Sequence, residues 1–420
     1  MIELNLDKAF LNIDLASYQI KVNNIHKQLY NHVGLGSEYT YWLEYGNDIT
    51  EDLLEEITGI ANRIRRSADV FLVCGIGGSY LGAKAAIEMC KGLYNNDIEI
   101  IYVGNCLSSN YLVDILEYIK DKSIYLNVIS KSGNTIETSI SFRILKEYMK
   151  ERYDDYNERI IVTTSCNEGL LRDECKKNDY LNFVVPEGIG GRYSAITPVG
   201  LFPMAVAGLD IYKIVKGYKN AQNTYSSSII EDNKAIQYAI ARRILDKQGM
   251  QIELAITYEP CMATFLEWWK QLFAESEGKN NKGIFPACAC FSADLHSIGQ
   301  YIQDGKHMLF ETIIDVKKSN KDIVIPYDND NLDNLNYISN KNLSKINRIV
   351  EEATYKAHTQ DGGVANIVIS IDKIDEYNIG NLMYFFFIAC SYSVYLLEEN
   401  PFDQPGVEIY KNHMNNLLKK

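Results

Sequence analysis

The chain has 420 residues, 46% hydrophobic and 23% charged, which marks a folded globular protein of more than one domain and excludes a disordered one. Its net charge of −13 argues against general nucleic-acid binding, which needs clustered cations, although a local set of donors can still hold a small anion. Nine scattered cysteines with no C-x-x-C pair read as reduced thiols in a reducing compartment, with Cys74, Cys106 and Cys390 expected in apolar runs. Neither they nor the six histidines show metal-ligand spacing.

The opening "MIELNLDKAF" is charged from its third residue and has no apolar signal core, so a cytoplasmic protein is expected. Residues 1–50 are expected to form an N-terminal helical segment. From Asp69 to Val185, "DVFLVCG", "IEIIYVG", "SIYLNVIS", "RIIVTTS" and "LNFVV" are short, unbroken apolar runs of the kind buried on both faces of a parallel sheet. Helical patterns separate them, which predicts a first α/β unit over 51–210. "GLFPMAVAGLDIYKIVKG" reads as a helical connector. A second unit over 211–400 follows, with strands at "IELAITY", "HMLFETIID" and "VANIVISI" and helices at "CMATFLEWWKQLFAES" and "HSIGQYIQDG". "YDNDNLDNLNYISNKNLSKIN" reads as a loop with a short helix. "GNLMYFFFIACSYSVYLL" nearly reaches membrane-spanning length, but its small and hydroxyl residues and acidic flanks favour a buried helix. Residues 401–420 are a C-terminal loop and helix. The fold class is α/β, with mainly parallel sheets and extra helices at both termini.

Two loops at strand ends carry the first functional signal. In "CGIGGSYLG", Gly75, Gly77 and Gly78 let main-chain N–H groups approach a ligand, and Ser79 falls at the expected N-cap of the next helix. Alone this is compatible with a simple tight turn, since G-x-G-x-x-G and P-loop spacings are absent. "ISKSGNTIET" also follows a buried strand and opens a helix. There Ser130, Ser132 and Thr135 set three hydroxyls around a glycine, beside Lys131. That density suits a phosphate, with helix capping by Ser132 or Asn134 as the plainer part of the explanation.

Other candidates lie further on. In "LFAESEGKNNKGIF" a helix is expected to stop near Gly278, and a carboxylate at its C-terminal end meets the negative end of the helix dipole, which favours keeping a proton. Glu275 and Glu277 both qualify, but two residues apart they cannot share a direction. Arg192 in "GIGGRYSAITP" is a permanent cation, His296 in "SADLHSIGQ" can titrate near neutrality, and Lys411 closes "FDQPGVEIYK".

These motifs occur together and in order: "GIGGSYLG", "SKSGNTIET", "GGRYSAITPVGL", "ESEGKNNKGIFP", "SADLHSIGQ" and "FDQPGVEIYK". The first two resemble the sugar isomerase (SIS) fold, and the set resembles the glucose-6-phosphate isomerase family in its shorter bacterial form. The resemblance runs from residue 71 to 411. It implies two SIS-type three-layer αβα domains, no cofactor or metal, and a homodimer whose active sites lie at the subunit interface. It implies reversible aldose–ketose isomerisation of D-glucose 6-phosphate and D-fructose 6-phosphate through a cis-enediol. It selects Glu275 as the proton-transfer base, assigns enediolate stabilisation to Arg192, and assigns ring opening to Lys411 and to a His296 contributed by the neighbouring subunit. The substrate is then held by Gly78, Ser79, Ser130, Lys131, Ser132, Thr135 and Gln404. Departures are slight: Ile196 and Thr197 vary conservatively, and Lys279 to Gly283 is expected to be an exposed loop. The other readings are a dual-specificity isomerase that also takes mannose 6-phosphate, and a non-catalytic sugar-phosphate sensor. No nucleic-acid or membrane partner is expected.

Overall fold

The apolar runs become strands, and a computed structural model, which describes residues 2–94 and 97–419, arranges them in two sheets. In chain order they are β1 (Glu3–Asn5), β2 (Val70–Cys74), β3 (Glu99–Val103), β4 (Ile124–Ile129), β5 (Ile160–Thr164), β6 (Leu181–Val184), β7 (Ile252–Thr257), β8 (Phe285–Cys290), β9 (Leu309–Lys318) and β10 (Asn366–Lys373). The first sheet has the order β3-β2-β4-β5-β6 and is parallel throughout. Every residue of β2, β4 and β5 is buried, which is why these segments carry no polar alternation. Parallel neighbours require crossovers, and helices Leu81–Lys91, Ser109–Tyr118, Ile136–Arg152 and Leu170–Asn178 supply them.

The second sheet has the order β1-β10-β9-β7-β8, with only β1 antiparallel. Two of its members were not foreseen. β1 comes from the N-terminal segment and pairs with β10 in the register Leu4↔Ile369. β8 contains Pro286, which weakens any strand reading but is tolerated at a sheet edge, where β8 lies. The connector after residue 197 is two helices, Pro198–Val206 and Ile211–Thr224. They part at Gly208, whose φ is 82°, and Asp210 caps the second through the Lys213 N–H. The polar segment near 340 opens into a 14-residue helix, Leu343–Lys356, longer than expected. Cys74 and Cys390 are buried as expected, with burial pushing their thiols up to about 12 and about 11, whereas Cys106 is exposed in the turn after β3.

Helix Glu376–Leu396 is apolar on every side, so it can be stable in water only inside a protein. It is long and apolar enough to cross a membrane, yet 94% of its most apolar window is buried in the fold. Helices Ile211–Thr224, Lys234–Lys247 and Ala263–Glu277 pack around it. Two glycines allow its closest crossing: a Cβ on Gly380 would stand 2.0 Å from Ile214 O, and one on Gly217 would stand 1.9 Å from Tyr377 O.

Candidate active site

In the first sheet β2 lies between β3 and β4, so the chain leaves β2 toward one edge and β4 toward the other. The loops after these neighbours diverge and leave a crevice at their carboxyl ends, the usual ligand position in such sheets. Those loops are residues 75–80 and 130–135, the two singled out by sequence. Gly77 and Gly133 have φ of 57° and 76°, which glycine adopts without strain. Ser79 ends a short 3-10 turn, Gly77–Ser79, and Tyr80 rather than Ser79 takes the N-cap of helix Leu81–Lys91. In the second loop Ser132 is exposed, and its Oγ accepts from the Asn134 N–H at 3.2 Å. Thr135 is the N-cap of helix Ile136–Arg152 and makes no side-chain capping bond. Lys131 is exposed at the crevice rim, with its Nζ 5.7 Å from the centre of the Tyr39 ring. Ser130 is buried, and its Oγ accepts from the Gly133 N–H at 3.1 Å, which shapes the turn.

The first loop touches the second group of candidates directly. A Cβ on Gly78 would stand 2.1 Å from Gly191 O and 2.8 Å from Arg192 N, so only glycine lets these two backbones meet. Arg192 is 3% exposed and every guanidinium nitrogen is engaged. Nε donates to Ser276 Oγ at 2.8 Å, and Nη1 donates to Glu275 Oε2 at 3.2 Å and Gln404 Oε1 at 2.8 Å. Nη2 donates to the carbonyls of Pro401 at 2.7 Å and Asp403 at 3.2 Å. Glu275 keeps a third of its side chain exposed, and its Oε1 accepts from Gln271 Nε2 at 2.8 Å. Gln271 also faces the phosphate-type loop, since a Cβ on Gly77 would stand 2.8 Å from its Nε2. Thus Gly77, Gly78, Gly191, Arg192, Gln271, Glu275 and Gln404 form one contact chain from distant parts of the sequence.

The structure also separates the two glutamates. Helix Ala263–Glu277 ends at Gly278, near where the sequence placed its stop. Glu275 and Ser276 face Arg192, while Glu277 turns inward and is fully buried against Arg242 and Arg243, with further support from the Ile284 N–H. Burial opposes its charge, but the two guanidiniums outweigh that and hold Glu277 below the ordinary carboxylate range. Removing one member of such a buried cluster costs about 3–5 kcal/mol, so Glu277 is a structural group.

A family model described as phosphoglucose isomerase matches residues 61–420. The chain belongs to the phosphoglucose isomerase family. It is 46% identical to a glucose-6-phosphate isomerase of Acetivibrio thermocellus over 417 residues, covering 97% of this chain and 93% of that one. A glucose-6-phosphate isomerase of Clostridioides difficile strain 630 is 44% identical, covering 98% and 94%. Among solved structures, a hypothetical protein from Thermus thermophilus superposes with a TM-score of 0.93 at 24% identity, over the whole of both chains. A glucose-6-phosphate isomerase from Chlamydia trachomatis gives 0.84 at 18% identity, covering 100% of this chain and 88% of the other. These two establish the fold.

The remaining phosphoglucose isomerase motif residues are not all gathered at one place in the chain. Gln404 is brought to Arg192, but Lys411 sits in the outlying helix Pro405–Leu418 and pairs with Glu408 at 2.8 Å. His296 is exposed in the first turn of helix Leu295–Asp304, beyond the carboxyl end of β8. Helix Ala263–Glu277 runs back from the end of β7 to the start of β8, which leaves Glu275 at the opposite end of β8 from His296. Six strand residues span about 20 Å at ~3.3 Å each, so one chain does not join this pair. Sequence reasoning missed Gln271, whose only signal was its i,i+4 spacing to Glu275 on one helix face. It also misplaced Lys279, which is 9% exposed rather than on an open loop.

Proposed function

We propose that this chain interconverts D-glucose 6-phosphate and D-fructose 6-phosphate, the isomerisation that links the two sugars in glycolysis and gluconeogenesis. The observation that carries the reading is the contact chain from the glycine loop through Arg192 to Glu275. A phosphate gripped at residues 77–79 and 132–135 sets a six-carbon ester against one carboxylate and one guanidinium. Ser79, Ser132, Thr135 and the main-chain N–H groups of both loops hold the phosphate, with Lys131 adding charge at the rim.

Glu275 takes the proton from C2 of the open aldose. Electrons from that C–H bond form the C1–C2 double bond of the enediol, and the carbonyl oxygen gains the negative charge that Arg192 stabilises. The O2 hydroxyl proton passes to O1, and as the C2=O bond forms, the C1–C2 double-bond electrons take the proton back from Glu275 at C1, which yields the ketose. Gln271 and Arg192 each hold one oxygen of the carboxylate, which orients it for both transfers. Ring opening falls to Lys411 and to a His296 supplied by a second copy of the chain. A homodimer is supported by the separation of His296 from Glu275 within one chain. Large apolar side chains left exposed beyond β9, among them Leu332 at 87% and Tyr337 at 75%, support it too. The working location is the cytoplasm, and no membrane or nucleic-acid partner is invoked.

The test is Glu275→Gln. The variant binds sugar phosphate but loses exchange of the C2 hydrogen with solvent by ~10² or more. Exchange near the normal rate removes Glu275 from the mechanism.

A further inference from the structure

Lys279 follows the helix that carries Glu275, and its side chain is only 6% exposed. Its ammonium meets Asp403 Oδ1 at 2.6 Å and also donates to the carbonyl of Asn400. Burial lowers its pKa; Asp403 opposes that shift, and nearby Arg192 adds to it. Two neighbours repeat the connection. Asn280 Nδ2 donates to Glu399 Oε2 at 2.8 Å, while Lys282 donates to the Leu397 carbonyl at 3.0 Å and pairs with Glu399 at 2.7 Å. The turn 279–282 is therefore fastened to the segment 397–403 at Lys279, Asn280 and Lys282. Arg192 holds the same segment from the site, through the carbonyls of Pro401 and Asp403.

That segment joins the buried helix Glu376–Leu396 to the helix Pro405–Leu418, which has no buried residue along its 14-residue length. A helix without a buried face takes its direction from its root. Lys411 lies seven residues beyond Gln404, about 10 Å along the axis at ~1.5 Å per residue, so a small turn at the root swings its ammonium by ångströms. Burying the Lys279 ammonium costs desolvation, while Asp403 keeps 47% of its side chain exposed, so the pair adds little stability and serves instead to fix one arrangement.

We propose that Lys279 is a positioning residue: its pair with Asp403 ties the end of the base-bearing helix to the root of the terminal helix, so that Lys411 and Glu275 address one substrate in register. The proposal rests on the ring-opening role of Lys411 given above. In the full-length protein, Lys279→Met lowers kcat about ten-fold, changes KM less than two-fold, and leaves the melting temperature within a few degrees of the parent. In a Lys411→Ala background the same substitution costs less than two-fold, because the residue it positions is gone. Full activity in Lys411→Ala alone overturns the ring-opening role and the proposal with it. An impaired Lys411→Ala on which Lys279→Met still costs ten-fold overturns the clasp and leaves that role standing. Unchanged kcat in Lys279→Met also overturns it. Should Lys279→Met fold poorly, Asp403→Asn enters the same cycle with the same criteria.

Discussion

The two sheets are wound alike but finished differently. In each, the first parallel strand of the unit lies between the second and the third: β2 between β3 and β4, β7 between β8 and β9. Each therefore has a place where neighbouring loops diverge. In the first sheet the loops contain Gly77, Gly78 and Gly133, with hydroxyls from Ser79, Ser132 and Thr135 around them. In the second, the loops after β7 and β9 line a cavity of about 540 Å³. There Glu259 stands two residues past β7, followed by Pro260 where the first loop has glycine. Burial raises the Glu259 carboxyl above its ordinary range. A carboxylate and a proline stand where the first crevice has glycines, so topology supplies a crevice twice, and only the first offers the glycine backbone on which the proposed phosphate site is built.

Substitutions on the two sides test that contrast. The largest effect is expected from Gly78→Ala, because the new Cβ meets the fixed backbone of Gly191. The loop must then move away from Arg192, and kcat/KM falls by ~10² or more, as displacements near 1 Å can do. Steady-state values within three-fold of the parent would show that the backbones need not touch. Thr135→Ala is milder. On the proposed reading it removes one hydrogen bond to the phosphate, so KM for sugar phosphate is expected to rise ~10-fold while kcat stays within two-fold. A fall in kcat with KM unchanged would move Thr135 out of phosphate binding.

The smallest effect on catalysis is expected in the second crevice. Glu351 lines an adjoining cavity that shares Glu259 and Asn347 with it, and its pKa is raised from 4.5 to about 7, first by burial and then by Asp315, against the opposing pull of Arg348. A carboxyl raised in the folded state contributes stability that is complete below its unfolded value. That contribution is lost as pH climbs through about 7. Glu351→Gln should therefore leave kcat and KM unchanged and reduce the loss of urea resistance between pH 5 and pH 8. An unaltered pH slope would refute the titration, and a ten-fold rise in KM would erase the functional difference between the crevices.

What could be read before folding depended on how local each signal was. β2, β4 and β5 were legible because a strand buried on both faces writes its environment into consecutive residues. β8 was not, because Pro286 masks it and only an edge position excuses the proline. Glu275 and Glu277 had equal local claims. The difference between them lies in Arg192, Arg242 and Arg243, all distant in sequence. Lys279 read as an exposed loop residue because its partner Asp403 lies far along the chain.

By itself the sequence determined the α/β alternation, the two hydroxyl-rich turns and the family motifs, since each depends on residues close together along the chain. Tertiary structure alone decided which glutamate faces a guanidinium, which serine is buried in its own turn, and which lysine is buried. Those outcomes depend on distances between remote segments, and only the packing of two sheets around one core helix sets such distances.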